Sequence, residues 1–274
     1  RRGKTAGLNN AVKEAKGDII VFSDADSMYQ EDAIKKMVYY LGDPSVGLVT
    51  GSTQYAMEGS DGKMTATSSI YTRLERIIKS LETRIGSCVG ADGAIFAMRK
   101  SLYQPLKSDD INDLVIPLLV IKQGYRVIFH KNLYCFEAPS ENTASEFWRQ
   151  VRITNRTLRA LFRYAELMNI FKYPSFGFEI ISHKLLRFSV PFFLLFLIPL
   201  NLFLIGQGII YKLLLAAQII FYGAAFIGFS QELYGHKGRK ISFVYHFLMV
   251  NISILVGWFK FLSGERQAMW NVQR

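Results

Sequence analysis

The stretch GDIIVFSDAD, residues 17–26, decides the fold class of this 274-residue chain. Residues 19–22 form an unbroken run of β-branched and aromatic residues, which predicts a buried strand. The run ends abruptly in Ser23-Asp24-Ala25-Asp26. Open α/β sheets bind their ligands at the carboxyl ends of such strands. The stretch therefore predicts an α/β fold with a ligand site at Asp24 and Asp26.

The two carboxylates of this stretch suggest a bound cation. Asp24 and Asp26 are one residue apart, and neither has a basic neighbour in the sequence. A divalent cation, Mg²⁺ or Mn²⁺, that carries a phosphate is the simplest reason to hold two such charges together. The alternative is a solvated acidic turn after a strand.

The flanking segments support an α/β pattern. A basic, glycine-bearing segment, residues 1–10, leads into a predicted helix over 10–16, and Lys4 in that segment would suit a phosphate contact. The alternative is a basic loop before a surface helix. A predicted helix over 30–41 and a strand over 46–50 follow, so helices and strands alternate. A second amphipathic helix is predicted over 64–85.

Two later segments could contribute to the same site. Residues 86–100, GSCVGADGAIFAMRK, are rich in small residues that let a backbone approach a ligand closely, although a tight turn before a strand explains them equally well. Ser108-Asp109-Asp110 is typical of a helix N-terminus with acids in its first turn. These acids either cap the helix or place a general base beside the cation site.

Arginines recur at intervals of three and four along a predicted helix over 145–163, which gives the helix one basic stripe. The stripe either rests on anionic lipid headgroups or supplies one or two arginines that clamp a pyrophosphate. An aromatic, apolar helix is predicted to continue over 161–173 and to lie in the membrane interface. The members of the stripe are Arg149, Arg152, Arg156, Arg159 and Arg163.

The last third of the chain is predicted to cross a membrane. Three apolar segments, residues 188–205, 213–230 and 241–259, each approach the ~20 residues that a spanning helix needs. The basic loop at 237–240 predicts a cytoplasmic position for itself and, by threading backward, for the N-terminal domain. The same membrane topology places Lys260 and Arg266 outside the cell, which conflicts mildly with the rule that basic flanking residues lie on the cytoplasmic side.

The composition of the chain limits the classes of molecule that it can be expected to bind. A net charge of +11 suits a membrane surface, a phosphorylated ligand or nucleic acid, but the apolar segments favour the first two and no nucleic-acid motif is present. The two cysteines, Cys88 and Cys135, form no metal-binding spacing and are expected to be reduced. Because the chain starts with Arg1 rather than Met, a fragment or processed chain is expected.

The ordered combination of these motifs resembles the membrane-bound family 2 glycosyltransferases, the group with cellulose, hyaluronan and poly-N-acetylglucosamine synthases. The resemblance covers essentially the whole chain. It rests on K-x-x-x-L-N at residues 4–9, D-x-D at 24–26, GADGAIFAMRK at 90–100, the acidic triplet at 108–110 and the arginine-rich helix before the apolar segments. It implies a GT-A-like (Rossmann-like) mixed sheet with flanking helices, then an interfacial helix and an all-α membrane domain.

The resemblance also implies roles for individual residues. Lys4 and Asn9 would bind the nucleotide sugar, with Lys4 on its diphosphate. Asp24 and Asp26 would hold Mg²⁺ or Mn²⁺, and Asp24 would also contact the nucleotide sugar. Asp110, the last residue of the acidic triplet, would be the general base. The family has an earlier strand upstream of Lys4, which again implies a fragment.

The family's Q-x-x-R-W motif aligns with residues 149–153. Arg152 matches and would bind the nucleotide sugar together with Arg149. Arg149 replaces the family's Gln and Ile153 replaces its Trp, which argues against processive synthesis of a long polymer. The expected domains are residues 1–145 for the transferase, 146–183 for basic interfacial helices and 184–274 for the membrane domain.

The expected activity is inverting transfer from a nucleotide sugar, UDP by resemblance, to a glycan or lipid-linked acceptor at the cytoplasmic face of the cell membrane. A variant of this hypothesis needs a partner subunit. A membrane scaffold or channel subunit is the alternative outside enzymes, with Asn201, Gln218, His246 and Asn251 as the polar groups of the apolar segments. A metal-dependent phosphotransferase of the haloacid dehalogenase type, with Asp24 as nucleophile, is the alternative enzyme class.

Overall fold

The computed structural model describes residues 3–58, 64–67, 70–138, 143–234 and 241–266. It divides into two compact units. The first comprises the described parts of residues 1–141, 156–184 and 266–274, and the second those of residues 142–155 and 185–265. The boundaries predicted at 145/146 and 183/184 for three domains stay predictions.

Helices and strands alternate through the first half of the chain, and helices alone make up the second half. The strands are β1 Ile19–Ser23, β2 Met28–Tyr29, β3 Val46–Glu58, β4 Met64–Thr67, β5 Ile95–Arg99 and β6 Arg126–Glu137. The helices are α1 Gly3–Glu14, α2 Ala33–Tyr40, α3 Ile70–Ile85, α4 Asn112–Lys122, α5 Thr143–Arg163, α6 Pro174–Ile180, α7 Leu186–Leu204, α8 Ile209–Leu233 and α9 Ile241–Leu262. Short 3₁₀ segments occupy Lys100–Leu102 and Ala165–Met168, and a π-helical turn spans Ile181–Leu185.

The first unit is built on one mixed sheet with the strand order β1-β5-β3-β6-β2, and β4 pairs with β3. Strands β3 and β6 are parallel, whereas the other described pairs are antiparallel. Strand β1 lies at one end of this order, so no other described strand pairs with its outer edge. The mixed sheet with flanking helices confirms the predicted α/β class.

Helices pack on both faces of the sheet, because side chains of successive strand residues point to opposite faces. In β5, Phe96 and Met98 join the cluster that contains the buried α4, whereas Ile95 and Ala97 join the cluster that contains α2. Phe22 of β1 stacks on Phe96, with ring centroids 4.4 Å apart. These contacts fix the carboxyl end of β1 against the centre of the sheet.

Three predicted element boundaries are wrong. Helix α1 begins at Gly3, so the segment that carries Lys4 and Asn9 is helical rather than a loop. Residues 64–67 form a strand and α3 begins only at Ile70, since Met64–Thr67 pairs with the end of β3. Helix α4 begins at Asn112, after an extended Ile111, so Asp109 and Asp110 precede the helix instead of opening it.

The second unit carries the predicted membrane segments. Pro174–Leu204, Ile209–Leu233 and Phe243–Leu262 are long and apolar enough to cross a membrane, which confirms the three predicted segments by length and composition. Within this unit, the indole of Trp258 donates a hydrogen bond to the carbonyl of Phe188 at 2.7 Å. The basic loop at 237–240, on which the orientation was predicted, lies outside the described residues.

Gly51 provides a test of the sheet. A Cβ at this position in β3 would lie 2.2 Å from the carbonyl oxygen of Leu133 in β6, and that backbone cannot move without disrupting the strand pairing. We expect Gly51→Ala to lower the free energy of unfolding by about 2–3 kcal/mol. The measurement is denaturation of the detergent-solubilised chain. Gly7→Ala is the matched control, since nothing lies within 4 Å of its Cβ position and alanine favours the α1 helix. Equal stability of both variants would contradict the strand pairing.

Candidate active site

The D-x-D segment forms a tight turn at the carboxyl end of β1. The amide of Ser27 donates to the carbonyl of Asp24 at 3.3 Å, which closes the turn. Tyr29 then returns the chain to the sheet, and its hydroxyl donates to the carbonyls of Phe22 at 2.9 Å and Ala94 at 3.0 Å. The turn is therefore held between the end of β1 and the start of β5.

Lys4 lies at this turn, as the predicted phosphate contact requires. Its ammonium group is 2.6 Å from Oδ1 of Asp24, and both side chains remain partly exposed, at 51% and 39%. Asp26 is exposed. Since exposed ion pairs contribute little stability, this pair is readily rearranged when a ligand arrives. The structure thus brings together three of the predicted site residues, Lys4, Asp24 and Asp26.

The small-residue segment before β5 contributes a further carboxylate, Asp92. Its two oxygens accept hydrogen bonds from the backbone amide and the hydroxyl of Thr53, at 2.7 and 2.8 Å. Its own amide donates to the hydroxyl of Thr50 at 2.8 Å. These bonds fix Asp92 and the glycine next to it, Gly93.

Asp113, in the first turn of α4, faces this segment. Its carbonyl accepts a hydrogen bond from the amide of Ala91 at 2.7 Å, and its Oδ2 is 3.6 Å from the Cβ position of Gly93. Burial raises the pKa of Asp113, and the charge of Asp92 adds to that rise, while the charges of Lys184 and Lys4 oppose it. Oδ1 of Asp113 is buried and has no hydrogen-bond partner among the described residues.

Asp113 was not among the predicted site residues. A signal was present, because the unbroken apolar run that follows it, residues 114–121, marks where the buried helix begins. A carboxylate in the first turn of such a helix, with a raised pKa and beside other charged groups, has the properties of a general base.

Glu137, the last residue of β6, is a second missed residue. Its Oε1 accepts a hydrogen bond from the hydroxyl of Ser27 at 2.6 Å. Burial raises the pKa of Glu137, and the charges of Asp26, Asp92 and Asp24 raise it further, while the Ser27 hydrogen bond lowers it. Three carboxylates therefore lie within electrostatic reach of Glu137.

These carboxylates fit a divalent cation without forming a closed cage. No group of three histidine, cysteine or acidic side chains converges on one point within the described ranges. A cation at Asp24 and Asp26 would therefore take its other oxygen ligands from a bound phosphate or water, as Mg²⁺ commonly does. Burial is the largest cause of the raised pKa of Glu137, and the charges of Asp26, Asp92 and Asp24 add a repulsion that a cation would relieve.

Two predicted site residues are occupied by contacts within the protein, and Asp110 is the first. Its buried carboxylate binds the guanidinium of Arg163 and accepts from the amide of Lys107 at 2.8 Å. The neighbouring Asp109 binds the same guanidinium at 3.1 Å. The acidic pair thus neutralises an arginine of the basic stripe, and the role of Asp110 as general base stays a prediction.

The second such residue is Asn9. Its amide nitrogen donates to the carbonyl of Leu106 at 2.8 Å. Its amide oxygen accepts from the hydroxyl of Tyr103 at 2.6 Å and from the amide of Leu106 at 2.9 Å. Asn9 therefore fastens α1 to the segment after β5, and its contact with the nucleotide sugar stays a prediction.

Arg149 and Arg152 belong to the second unit, in the first half of α5. Arg149 lies 3.3 Å from Glu146, one turn earlier. Their predicted contacts with a nucleotide sugar stay predictions.

The mixed sheet with flanking helices matches the GT-A fold of solved glycosyltransferases. Residues 1–105 match the family model "Glycosyl transferase family 2", in agreement with the predicted resemblance. The phosphotransferase alternative is therefore not supported.

Particular relatives agree with this class. The poly-beta-1,6-N-acetyl-D-glucosamine synthase of Staphylococcus aureus strain COL is 27% identical over 155 residues, which are 54% of this chain and 37% of that protein. The chain thus spans about a third of the length of this curated relative. The mannosyltransferase PcManGT from Pyrobaculum calidifontis, solved in complex with GDP-Man and Mn²⁺, matches with a TM-score of 0.70 at 19% identity. That match covers 97% of this chain and 68% of the other and shows a shared fold.

The contacts of Asp110 predict its effect on stability. We expect Asp110→Asn to lower the free energy of unfolding by about 1.5–3 kcal/mol, because it removes one of the two carboxylates that bind the guanidinium of Arg163. Denaturation of the detergent-solubilised chain measures this, with the exposed Asp18→Asn as control. A loss of less than about 0.5 kcal/mol, as at an ordinary surface position, would contradict the structural role.

The same ion pair predicts a dependence on pH. Burial alone would raise the pKa of Asp109, but the hydrogen bond and charge of Arg163 outweigh it and hold the pKa below its ordinary value. This stabilisation is present above the unfolded-state pKa and is lost as the pH falls through the lowered folded-state pKa. In Arg163→Met, we expect a smaller loss of stability between neutral and strongly acidic pH than in the wild-type chain.

Proposed function

We propose that the protein is a metal-dependent, inverting glycosyltransferase that moves a sugar from a nucleotide sugar to an acceptor hydroxyl. One observation carries the proposal: Lys4 pairs with Asp24 of the D-x-D turn, and the charges of Lys4 and Asp92 both act on the carboxylate of Asp113. Donor and base groups for a single displacement are therefore present in one unit. The family match of residues 1–105 supports the same reaction class.

On the donor side, Asp24 and Asp26 would hold Mg²⁺ or Mn²⁺ against the diphosphate. When bound, the cation supplies Lewis-acid stabilisation of the charge that develops on the leaving diphosphate. Lys4 would exchange its ion pair with Asp24 for one with a phosphate oxygen. Its ammonium group would then add a second positive charge at the leaving group. Arg149 and Arg152 are proposed to contact the same diphosphate, as the resemblance implies.

On the acceptor side, Asp113 would act as the general base in place of Asp110. The acceptor oxygen attacks the anomeric carbon, its proton passes to the carboxylate of Asp113, and the bond from that carbon to the diphosphate oxygen breaks. One displacement from the opposite face inverts the configuration, so an α-linked donor gives a β-linked product. The raised pKa of Asp113 brings the base closer to neutral pH, where proton abstraction is more effective.

Substrate class and location are also proposals. The curated relative is a poly-beta-1,6-N-acetyl-D-glucosamine synthase, which favours a UDP-sugar, whereas the structural relative was solved with GDP-Man and Mn²⁺. Three helices suited to a bilayer favour a glycan or lipid-linked acceptor at a membrane surface. The catalytic unit is proposed to face the cytoplasm of the cell, where nucleotide sugars are made. A partner subunit could complete the activity.

A donor screen tests the proposal. The full-length protein in nanodiscs is given UDP- and GDP-sugars with Mn²⁺ or Mg²⁺, with and without polyprenyl phosphate or oligosaccharide acceptors, and release of the free nucleotide is followed. We expect metal-dependent release from one donor. Asp113→Asn should reduce the rate by about 10²–10⁴-fold, the contribution of a general base, and leave nucleotide binding intact.

Controls separate the roles of the acidic residues. Asp26→Ala should abolish metal-dependent release, whereas Asp110→Asn should retain transfer in proportion to the protein that remains folded. Full activity of Asp113→Asn with loss in folded Asp110→Asn would restore the original assignment of the base. Absence of release from every donor, with nucleotide still bound, would favour a scaffold subunit or a missing partner.

A further inference from the structure

The D-x-D turn is fixed to the far end of the sheet by one polar side chain. Ser27 directly follows the motif, and its hydroxyl donates to Oε1 of Glu137 at 2.6 Å. Glu137 ends β6, more than a hundred residues later in the chain, and is half-buried. Beside this bond, β2 and β6 pair as antiparallel strands: Met28, which follows Ser27, lies opposite Phe136, which precedes Glu137.

The backbone bond from Ser27 to Asp24 and the hydroxyl of Tyr29 hold the turn against β1 and β5, and the bond from Ser27 to Glu137 adds an attachment to β6. Strand β2 has only two residues and pairs only with β6 within the described chain. Asp24 and Asp26 repel each other, and an isolated turn would relax by moving them apart. Tyr29 holds the return strand through the carbonyls of Phe22 and Ala94, but it lies beyond Ser27. From the side of β6, the carboxylate of Glu137 accepts the Ser27 hydroxyl at 2.6 Å, and the thiol of Cys135 also interacts with Ser27.

We propose that Glu137 is a positioning residue that sets the geometry of the metal-binding turn through its hydrogen bond to Ser27. The inference rests on the proposed function for the identity of the ligand, a divalent cation with a nucleoside diphosphate. Removal of a side chain that hydrogen-bonds to the segment carrying the metal ligands commonly weakens metal affinity by about 10–100-fold.

The contacts favour an anchor over a third metal ligand. Oε1 of Glu137 is already bound to Ser27, and no three ligating side chains meet among the described residues. The raised pKa of Glu137 reflects burial first and the nearby acids second. An anchor needs only an oxygen acceptor at this position, whereas a ligand for a cation needs the negative charge. The two roles therefore predict different results for a glutamine substitution.

The experiment measures binding of Mn²⁺ to the full chain in nanodiscs, by electron paramagnetic resonance titration in the presence of UDP or GDP. Four variants are compared: Glu137→Ala, Glu137→Gln, Ser27→Ala and the exposed Glu31→Ala as a matched acidic control. We expect Glu137→Ala and Ser27→Ala each to weaken Mn²⁺ binding by about tenfold or more. Glu137→Gln keeps an oxygen acceptor for Ser27 and should stay within about threefold of the wild-type chain, as should Glu31→Ala.

Three outcomes would overturn the inference. Wild-type affinity in Glu137→Ala would show that the turn needs no anchor. Equal losses in Glu137→Gln and Glu137→Ala, with no loss in Ser27→Ala, would make Glu137 a ligand through its charge. Absence of Mn²⁺ binding in the wild-type chain would remove the site that the anchor serves. Binding is measured without transfer, so an inactive chain with the expected binding pattern would favour a scaffold subunit or a missing partner and leave this inference standing.

Discussion

Repulsion between like charges is the constraint on which the candidate site depends. The charges of Asp24, Asp26 and Asp92 act on Glu137, and the charge of Asp92 also acts on Asp113. Three of these acids are each held by a different partner: Asp24 by Lys4, Asp92 by Thr53 and Glu137 by Ser27. The surrounding hydrogen bonds therefore serve to hold a charge distribution that would be unfavourable without a cationic ligand.

Much of the fold could be predicted because its signals are local. The apolar run before Asp24 specifies a buried strand by its own composition, and the charge-free segments from residue 188 onward specify helices suited to a bilayer. Lys4 and the D-x-D turn could be predicted to share a site because both motifs occur, in this order, in the family that the chain resembles. In the structure, the ammonium group of Lys4 lies 2.6 Å from Oδ1 of Asp24.

The remaining site residues depend on contacts between distant segments. Asp110 matched an expected pattern, but the guanidinium that occupies it comes from Arg163, far along the chain, and Arg163 was interpreted as part of a basic stripe. Asp113 carries no distinctive neighbours in sequence, and its role follows only from its position beside Gly93 and Asp92. Glu137 is likewise an ordinary acid until the pairing of β2 with β6 places it beside Ser27.

Strand β1 leads into the catalytic turn and is also the edge of the described sheet. Its outer edge presents backbone amides and carbonyls that can pair with another extended chain, and Val21 on this strand is 37% exposed. An apolar edge of this kind is a template for strand addition and self-association. The strand that leads into the proposed metal-binding turn thus also presents an edge to which no other described strand pairs, and self-association through that edge would cover the turn.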